Sequence, residues 1–144
     1  MPELELLTPS AAAAALTAAG DDGRGFLGLD PVTQNEPLLA RELAGGAAAF
    51  RYADTVLGCR VNPDQPRQAE VAATTADPDA LGALLDFLHT YQRCTSFVAL
   101  VPESLDTAGY RAHGFTETGL LRSHRFAAGA YRDVRVLHAA RDAY

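Results

Sequence analysis

The hydrophobic pattern divides the chain into eleven elements separated by turns rich in glycine, proline and aspartate. Short apolar runs predict strands, whereas apolar residues that recur every three or four positions predict helices. The clearest helix covers residues 78–92, where Leu81, Leu84, Leu85 and Leu88 form one apolar stripe. The elements follow in the order β-α-α-β-β-β-α-β-α-β-β, which predicts an α/β protein.

Capping and turn residues set the expected boundaries in the first half of the chain. A helix is predicted at 11–19, with Ser10 as its N-cap. A second helix is predicted within 32–46, where Pro37 must lie at a boundary or a kink because proline has no N–H. A tight turn at Asp54–Thr55 is predicted to separate two strands.

The second half of the chain contains a buried strand, a short helix and a hairpin. The apolar run at 96–101 is typical of a strand that is buried on both faces. A short helix is expected within 104–113, ending at Gly114. The strand-like segments 116–126 and 131–139 then predict a β-hairpin.

A strand predicted at 69–75 leads almost directly into the helix at 78–92. The start of a helix attracts anions through its free N–H groups and its dipole. Here Asp77 is the expected N-cap, Pro78 the first helical residue, and Asp79 a complement to the dipole. The sequence therefore predicts a helix start that does not bind phosphate.

Composition and charge narrow the class of protein. A length of 144 residues with 48% hydrophobic residues predicts one globular domain over 1–144. A net charge of −6 argues against nucleic acid as a partner. No apolar run approaches the length that spans a membrane, and we expect a cytoplasmic protein. The charge is uneven: residues 1–110 carry a net −9 and residues 111–144 a net +3.

The cysteines and histidines give no sign of a metal site. Cys59 and Cys94 have no metal-ligand spacing, and we expect both to pack as small apolar groups rather than act as nucleophiles. His89, His113 and His138 likewise lack ligand spacing. We expect no bound metal.

Residues 96–144 resemble the C-terminal part of the GNAT acyltransferase superfamily. The resemblance rests on the strand SFVALV, the motif Y-x-x-x-G-F at Tyr110–Phe115, the following Gly119 and the basic hairpin. Residues 1–70 match only in the order of their elements. The resemblance implies a mixed, mainly antiparallel sheet of six or seven strands flanked by about four helices. It also implies that the strands at 69–75 and 96–101 splay apart to admit an acyl donor.

The chain departs from the family at the loop expected to hold the pyrophosphate of coenzyme A. The family carries Arg/Gln-x-x-Gly-x-Gly/Ala there, but Ala76, Asp77 and Asp79 stand in this region, and Gly82 falls inside the helix. The donor site is therefore expected to be degenerate. Either acyl-coenzyme A is held differently, or the acyl thioester is borne by a carrier protein that docks through the basic hairpin.

The resemblance assigns catalytic roles to two residues. Tyr110 matches the tyrosine that protonates the leaving thiolate in many members, with a packing role as the alternative. Glu70 lies on the strand that can supply a general base, with a solvated edge position as the alternative. Glu103 stands where the family has an asparagine. It is either a functional residue, as a base or a substrate contact, or a carboxylate that only stabilises the start of the helix.

The basic hairpin supplies the remaining candidates. Alternation by two along a strand predicts that Arg122 and His124 share one face, with Phe126 beyond them. This face would bind an anionic substrate or carrier; the alternative is a solvated surface without a ligand.

The favoured function is transfer of an acyl group from a thioester to an amine or hydroxyl of a small molecule or peptide. The alternative keeps the GNAT fold without acetyl-coenzyme A. It would be another reaction of specialised metabolism, such as decarboxylation, cyclisation or isomerisation, or a non-catalytic binding module. The sequence leaves open whether the chain forms a homodimer.

Overall fold

The computed structural model of the chain describes residues 2–127 and 129–142, which contain a seven-stranded sheet and four α-helices. The strands are β1 (Glu5–Leu7), β2 (Ala47–Tyr52), β3 (Thr55–Asn62), β4 (Gln65–Ala73), β5 (Ser96–Pro102), β6 (Thr116–Ala127) and β7 (Ala130–Ala140). The helices are α1 (Pro9–Ala19), α2 (Glu36–Ala44), α3 (Pro78–Tyr91) and α4 (Ala108–Arg111). None of these helices is long and apolar enough to cross a membrane.

The sheet has the strand order β1-β2-β3-β4-β5-β7-β6. All neighbouring strands are antiparallel except β4 and β5, which are parallel because α3 connects them across one face. The predicted order of strands and helices and the predicted mixed, mainly antiparallel sheet are both confirmed.

Two apolar clusters cover the two faces of the sheet. On one face, α1, α2 and the 3₁₀ turn Phe26–Gly28 pack against side chains such as Ala49, Val56 and Ala72. On the opposite face, α3 buries the predicted leucine stripe against strand residues that include Val71 and Phe97. Alternation along β4 therefore decides which side chains face α3 and which face α1 and α2.

Two predicted boundaries, the cap of α1 and the turn between β2 and β3, are wrong by one or two residues. Thr8, rather than Ser10, caps α1, because its hydroxyl accepts from Ala11 N and Pro9 is tolerated in the first turn. Helix α2 lies within the predicted range 32–46: it begins after the Asn35 cap, and Pro37 stands in its first turn, at a boundary as predicted. The turn between β2 and β3 lies at 53–54 rather than 54–55.

Strands β4 and β5 separate after a short paired segment. Their ladder runs from Gln68–Ser96 to Glu70–Val98 and then stops, although β4 continues to Ala73 and β5 to Pro102. A gap consequently opens between the two central strands of the sheet. This gap is where the resemblance places an acyl donor.

A bulge interrupts β6 between Leu121 and Arg125. Ser123 has a positive φ of 48°, and its N–H donates to Asp133 Oδ1 at 2.8 Å. A bulge shifts the alternation of side chains along a strand. The prediction that uninterrupted alternation places Arg122, His124 and Phe126 on one face is therefore wrong in its premise.

Candidate active site

Helix α4 carries Tyr110 to the gap between β4 and β5. The side chain is 1% exposed, and its ring meets the ring of Phe115 edge-on at 5.4 Å between centroids. Together with Ala73, Leu100 and Leu105, Tyr110 lines a cavity of only 10 Å³ in the gap. The acyl group of a donor could enter this space only if the lining side chains moved.

The environment of Tyr110 keeps its phenol protonated. Burial raises the pKa of Tyr110 well above its usual range, and a hydrogen bond with the backbone of Ala73 opposes this by less. A buried phenolate would lose its hydration, so the neutral form dominates at neutral pH. The group at the gap is therefore a hydrogen-bond or proton donor.

Gly109 allows α4 to approach the gap this closely. A Cβ at this position would overlap the carbonyl group of Ala76, which lies in the connection between β4 and α3. The absence of a side chain thus lets the helix that carries Tyr110 pack directly on the connection that follows β4.

Replacing Gly109 with alanine is expected to lower the free energy of unfolding by about 1–3 kcal/mol, because backbone must shift to admit the methyl group. Urea unfolding of both proteins measures the change. Gly119→Ala is the matched control, since a Cβ there would meet Val136 at an ordinary 3.9 Å. A Gly109→Ala protein as stable as the control would contradict the close packing of α4.

Glu70 lies at the point where β4 and β5 part. It is the last β4 residue paired with β5, it is half-buried, and it lines a hollow of 290 Å³ with Arg60 and Val98. Burial raises the pKa of the Glu70 carboxyl, and the nearby Arg60 opposes this shift. Leu100 lines both this hollow and the Tyr110 cavity, so the two groups flank the same segment of β5.

The start of α3 is covered by its own first residues and by His113. Asp77 caps the helix, as predicted, by accepting from Asp79 N at 3.0 Å, and Pro78 contributes no N–H. The His113 ring donates from Nε2 to the Pro78 carbonyl at 2.6 Å and lies over Gly82, where a Cβ would come within 2.9 Å of it. Two carboxylates, a proline and a covering histidine therefore lie where the resemblance places the coenzyme A pyrophosphate.

Two threonines fix the connection that precedes this helix. Thr74 Oγ1 accepts from Val56 N at 3.1 Å, and Thr75 Oγ1 is bonded to Thr55 Oγ1 at 2.7 Å. These bonds tie the connection to β3. It therefore has a defined course without the glycines of a phosphate loop.

A charged cavity of 420 Å³ lies at the other end of the gap. Its walls come from the connection between α1 and α2, from the end of β5 and from the β6–β7 hairpin. Three arginines and three carboxylates contribute to it: Arg24, Arg125, Arg132, Asp21, Glu103 and Asp133. We call it the arginine pocket. Arg24 and Pro102 line both this pocket and the Tyr110 cavity, so the two spaces adjoin.

The structure brings some of the predicted site residues together and separates others. Tyr110 and Glu70 flank the gap, and Glu103 lies at the arginine pocket, where Arg132 Nη1 approaches its carboxylate at 3.9 Å. Arg122 and His124 are exposed on the β6 bulge and line none of the cavities described here.

Phe126 also lies on the surface. It is 61% exposed and packs edge-on against Tyr131, with 5.3 Å between the ring centroids. The sequence analysis missed Arg24, Arg125 and Arg132 as pocket residues. The excess of arginine in the hairpin was a signal for two of them, but the bulge decides which arginines turn into the pocket.

Both cysteines are free and buried. Burial, and then proximity to Cys94, raise the pKa of the Cys59 thiol to about 11. Such a thiol is poorly ionised at neutral pH. The prediction that both cysteines pack as small apolar groups is therefore confirmed. Within residues 2–127 and 129–142, no cluster of His, Cys, Asp and Glu is arranged to hold a metal ion.

The splayed parallel pair inside a mainly antiparallel sheet defines the fold of the GNAT acyltransferases, and the resemblance predicted from the sequence is confirmed as a resemblance of fold. No protein-family model matches the sequence, and no curated protein sequence matches it.

Solved structures match over nearly the whole chain. A mutant form of the spermidine/spermine N-acetyltransferase SpeG from Vibrio cholerae is 16% identical, with a TM-score of 0.71 over 97% of this chain and 95% of that one. A chimera of Vibrio cholerae SpeG with hSSAT is 16% identical, with a TM-score of 0.73 over 96% of this chain and 95% of that one. A dodecameric spermidine N-acetyltransferase from Vibrio cholerae is 16% identical, with a TM-score of 0.70 over 96% of this chain and 93% of that one.

Proposed function

We propose that this protein is an acyltransferase that moves an acyl group from a thioester to an amine or hydroxyl of a small molecule or peptide. One observation carries the proposal: β4 and β5 separate directly after Glu70, and the buried phenol of Tyr110 lies at the resulting gap. The gap thus has the carboxylate of Glu70 at one end and the phenol of Tyr110, a proton donor, along its side. The likeness in fold to N-acetyltransferases supports the same reaction.

The two residues divide the proton transfers of the reaction. The acceptor amine attacks the thioester carbonyl, a C–N bond forms, and the C–S bond breaks. The carboxylate of Glu70 accepts the proton that the amine loses, directly or through water. Tyr110 donates its proton to the leaving thiolate, and exchange with solvent restores both groups.

The donor is held in an unusual way in this proposal. Because the start of α3 does not fit a pyrophosphate, the thioester arm rather than the nucleotide supplies the binding energy. A carrier protein that presents the arm to the basic hairpin is the second form of donor consistent with this site. In both forms, Leu100 and Leu105 move to open the gap.

A pair of acetyl donors tests the proposal. Acetyl-coenzyme A and acetyl-pantetheine share the thioester arm, but only the former has the pyrophosphate. With a panel of amines and detection of released thiol, we expect transfer from both, with kcat/KM values within about threefold of each other. No thiol release above the uncatalysed rate from either donor or from an acylated carrier protein would overturn the acyltransferase. Strong preference for acetyl-coenzyme A would overturn only the unusual donor site.

Free coenzyme A is expected to bind with a Kd above roughly 0.1 mM, an affinity of only about −5.5 kcal/mol. Asp77 and Asp79 would lie near its pyrophosphate, and each like-charge contact costs about 1 kcal/mol even at a high dielectric constant. Calorimetric titration measures the affinity. The double variant Asp77→Asn, Asp79→Asn should bind more tightly if these charges are responsible. Micromolar binding to the wild-type protein would contradict the prediction.

A further inference from the structure

The arginine pocket places two arginines side by side. Arg125 on β6 and Arg132 on β7 are directly opposed in the hairpin ladder, and both line the pocket. Like charges opposite each other on neighbouring strands repel. An anion between them would convert this repulsion into two favourable contacts.

The carboxylates of the pocket leave these two arginines incompletely paired. Arg24 is paired with Asp30 at 3.2 Å and lies 3.8 Å from Asp21. Among residues 2–127 and 129–142, the partners of the Arg132 guanidinium are Glu103, at 3.9 Å, and the Ala127 carbonyl, to which Nε donates at 3.3 Å. The described part of the chain offers Arg125 no carboxylate within 4.0 Å.

Arg125 is nevertheless held firmly in position. Its Nη1 and Nη2 donate to the carbonyl oxygens of Gly28 and Leu29, both at 3.3 Å. These bonds fix the plane of the guanidinium, and its other N–H groups have no hydrogen-bond partner among the described residues. A positioned guanidinium with unassigned donors is suited to bidentate binding of an oxyanion.

The pocket lies at a short distance from the gap along β5. Leu100 lines the Tyr110 cavity and Pro102 lines the arginine pocket, and the two residues are separated by about 7 Å of extended strand. A molecule whose amine reaches the gap would therefore place a group several bonds away between the arginines.

We propose that the arginine pocket binds a carboxylate of the acceptor, so that the substrate class is an amine whose carboxylate lies several bonds away, such as a short peptide with a free C-terminus. The inference rests on the proposed acyl transfer and deepens it. The bond that forms is the amide at the amine of this acceptor, and the carboxylate remains unchanged.

The charge of the pocket argues against two other classes of acceptor. Arg125 and Arg132, which are incompletely paired, would repel the ammonium groups of a polyamine, which is the substrate named for the structural neighbours. A phosphate has a greater negative charge than a carboxylate and would meet Asp21, Glu103 and Asp133 at the same walls. The balanced set of charges suits a zwitterion with a single carboxylate.

Binding measurements without any acyl donor test the inference separately from the activity. The probes are alanylalanine, its C-terminal amide, spermidine and O-phosphoethanolamine. Calorimetric titration should give a Kd for the free acid at least tenfold lower than that for the amide. The preference should shrink at high salt, which screens a partly exposed charge pair. Equal binding of acid and amide, or tighter binding of spermidine or of O-phosphoethanolamine, would overturn the proposal.

Matched variants locate the binding site. Arg132→Gln and Arg125→Gln should each weaken binding of the free acid at least fivefold and leave binding of the amide unchanged. Arg51→Gln, on the exposed side of β2, is the control and should bind both probes as the wild type does. If Arg125→Gln disturbs the fold, Arg132→Gln still decides the result. A loss confined to Arg122→Gln would place the site on the bulge and overturn the proposal.

The two proposals can fail separately. If the free acid binds with the expected preference but no thioester donor supports transfer to it, the pocket assignment stands and the acyltransferase proposal fails. If transfer to alanylalanine amide is as efficient as transfer to alanylalanine, the acyltransferase stands and the carboxylate assignment is overturned.

Discussion

Tyr110→Phe is expected to lower turnover by about 10²-fold, the usual contribution of a positioned proton donor. The substitution removes one hydroxyl and keeps the ring that packs against Phe115. Burial keeps the phenol of Tyr110 protonated, so the wild-type residue can offer its hydrogen to the developing thiolate at every pH near neutrality. The Tyr110→Phe variant has no hydroxyl that could donate a proton to this thiolate.

The change in thermal stability distinguishes a proton-donor role of Tyr110 from a packing role. Loss of a buried hydroxyl that bonds the backbone of Ala73 should cost about 1 kcal/mol and lower Tm by about 3 °C. Turnover with acetyl-pantetheine and a thermal melt should be measured for each protein. Tyr91→Phe, at an exposed tyrosine on α3, is the control. Full turnover in Tyr110→Phe, with Tm changed as expected, would assign Tyr110 to the core alone.

Glu70→Gln is expected to reduce kcat/KM by about 10²-fold or more near neutral pH, because glutamine fills the same space but cannot accept a proton. In the wild type, kcat/KM should rise as the pH passes through the raised pKa of Glu70. In the variant this rise should disappear. The pH profile of kcat/KM between pH 5 and 9 measures both effects, with Glu42→Gln on α2 as the control. A variant that keeps the wild-type profile would show that Glu70 is not the base.

The same pKa shift predicts how stability depends on pH. The folded protein holds the Glu70 proton at a higher pH than the unfolded chain does, so the folded state binds more protons in the window between the two pKa values. Stability conferred at Glu70 is therefore greatest below this window, falls as pH rises through it, and stays lower above it. Glu70→Gln should remove that fall in urea unfolding measured across the window.

Local chemistry explains the parts of the fold that could be predicted. The start of α3 is the clearest example, because an N-cap aspartate followed by proline stabilises a helix end through bonds within a few residues. The Ser10 assignment failed for a related reason: Thr8 is an equally good cap, and Pro9 fits the turn that follows it. Competing local signals of similar strength cannot be ranked without the packing of the helix.

The hairpin shows where prediction from a strand pattern ends. Alternation predicts a common face only when the register is continuous, and the bulge before Arg125 breaks it. The bulge is held by the bond from Ser123 N to the side chain of Asp133 on the opposite strand. That bond joins residues ten positions apart, and nothing in the pattern around Arg122 and His124 indicates it.

By itself the sequence determined the order of the elements, the start of α3, the absence of a glycine loop before that helix and the burial of both cysteines. These depend on hydrophobic period, capping and residue type, which act over a few residues. Only the tertiary structure decided that Gly109 packs on Ala76 and that Glu70 and Tyr110 flank one gap. It also placed Arg24, Arg125 and Arg132 around one pocket. Arg24 lies about a hundred residues before Arg125 and Arg132, and strand pairing and the register of the sheet bring the three together.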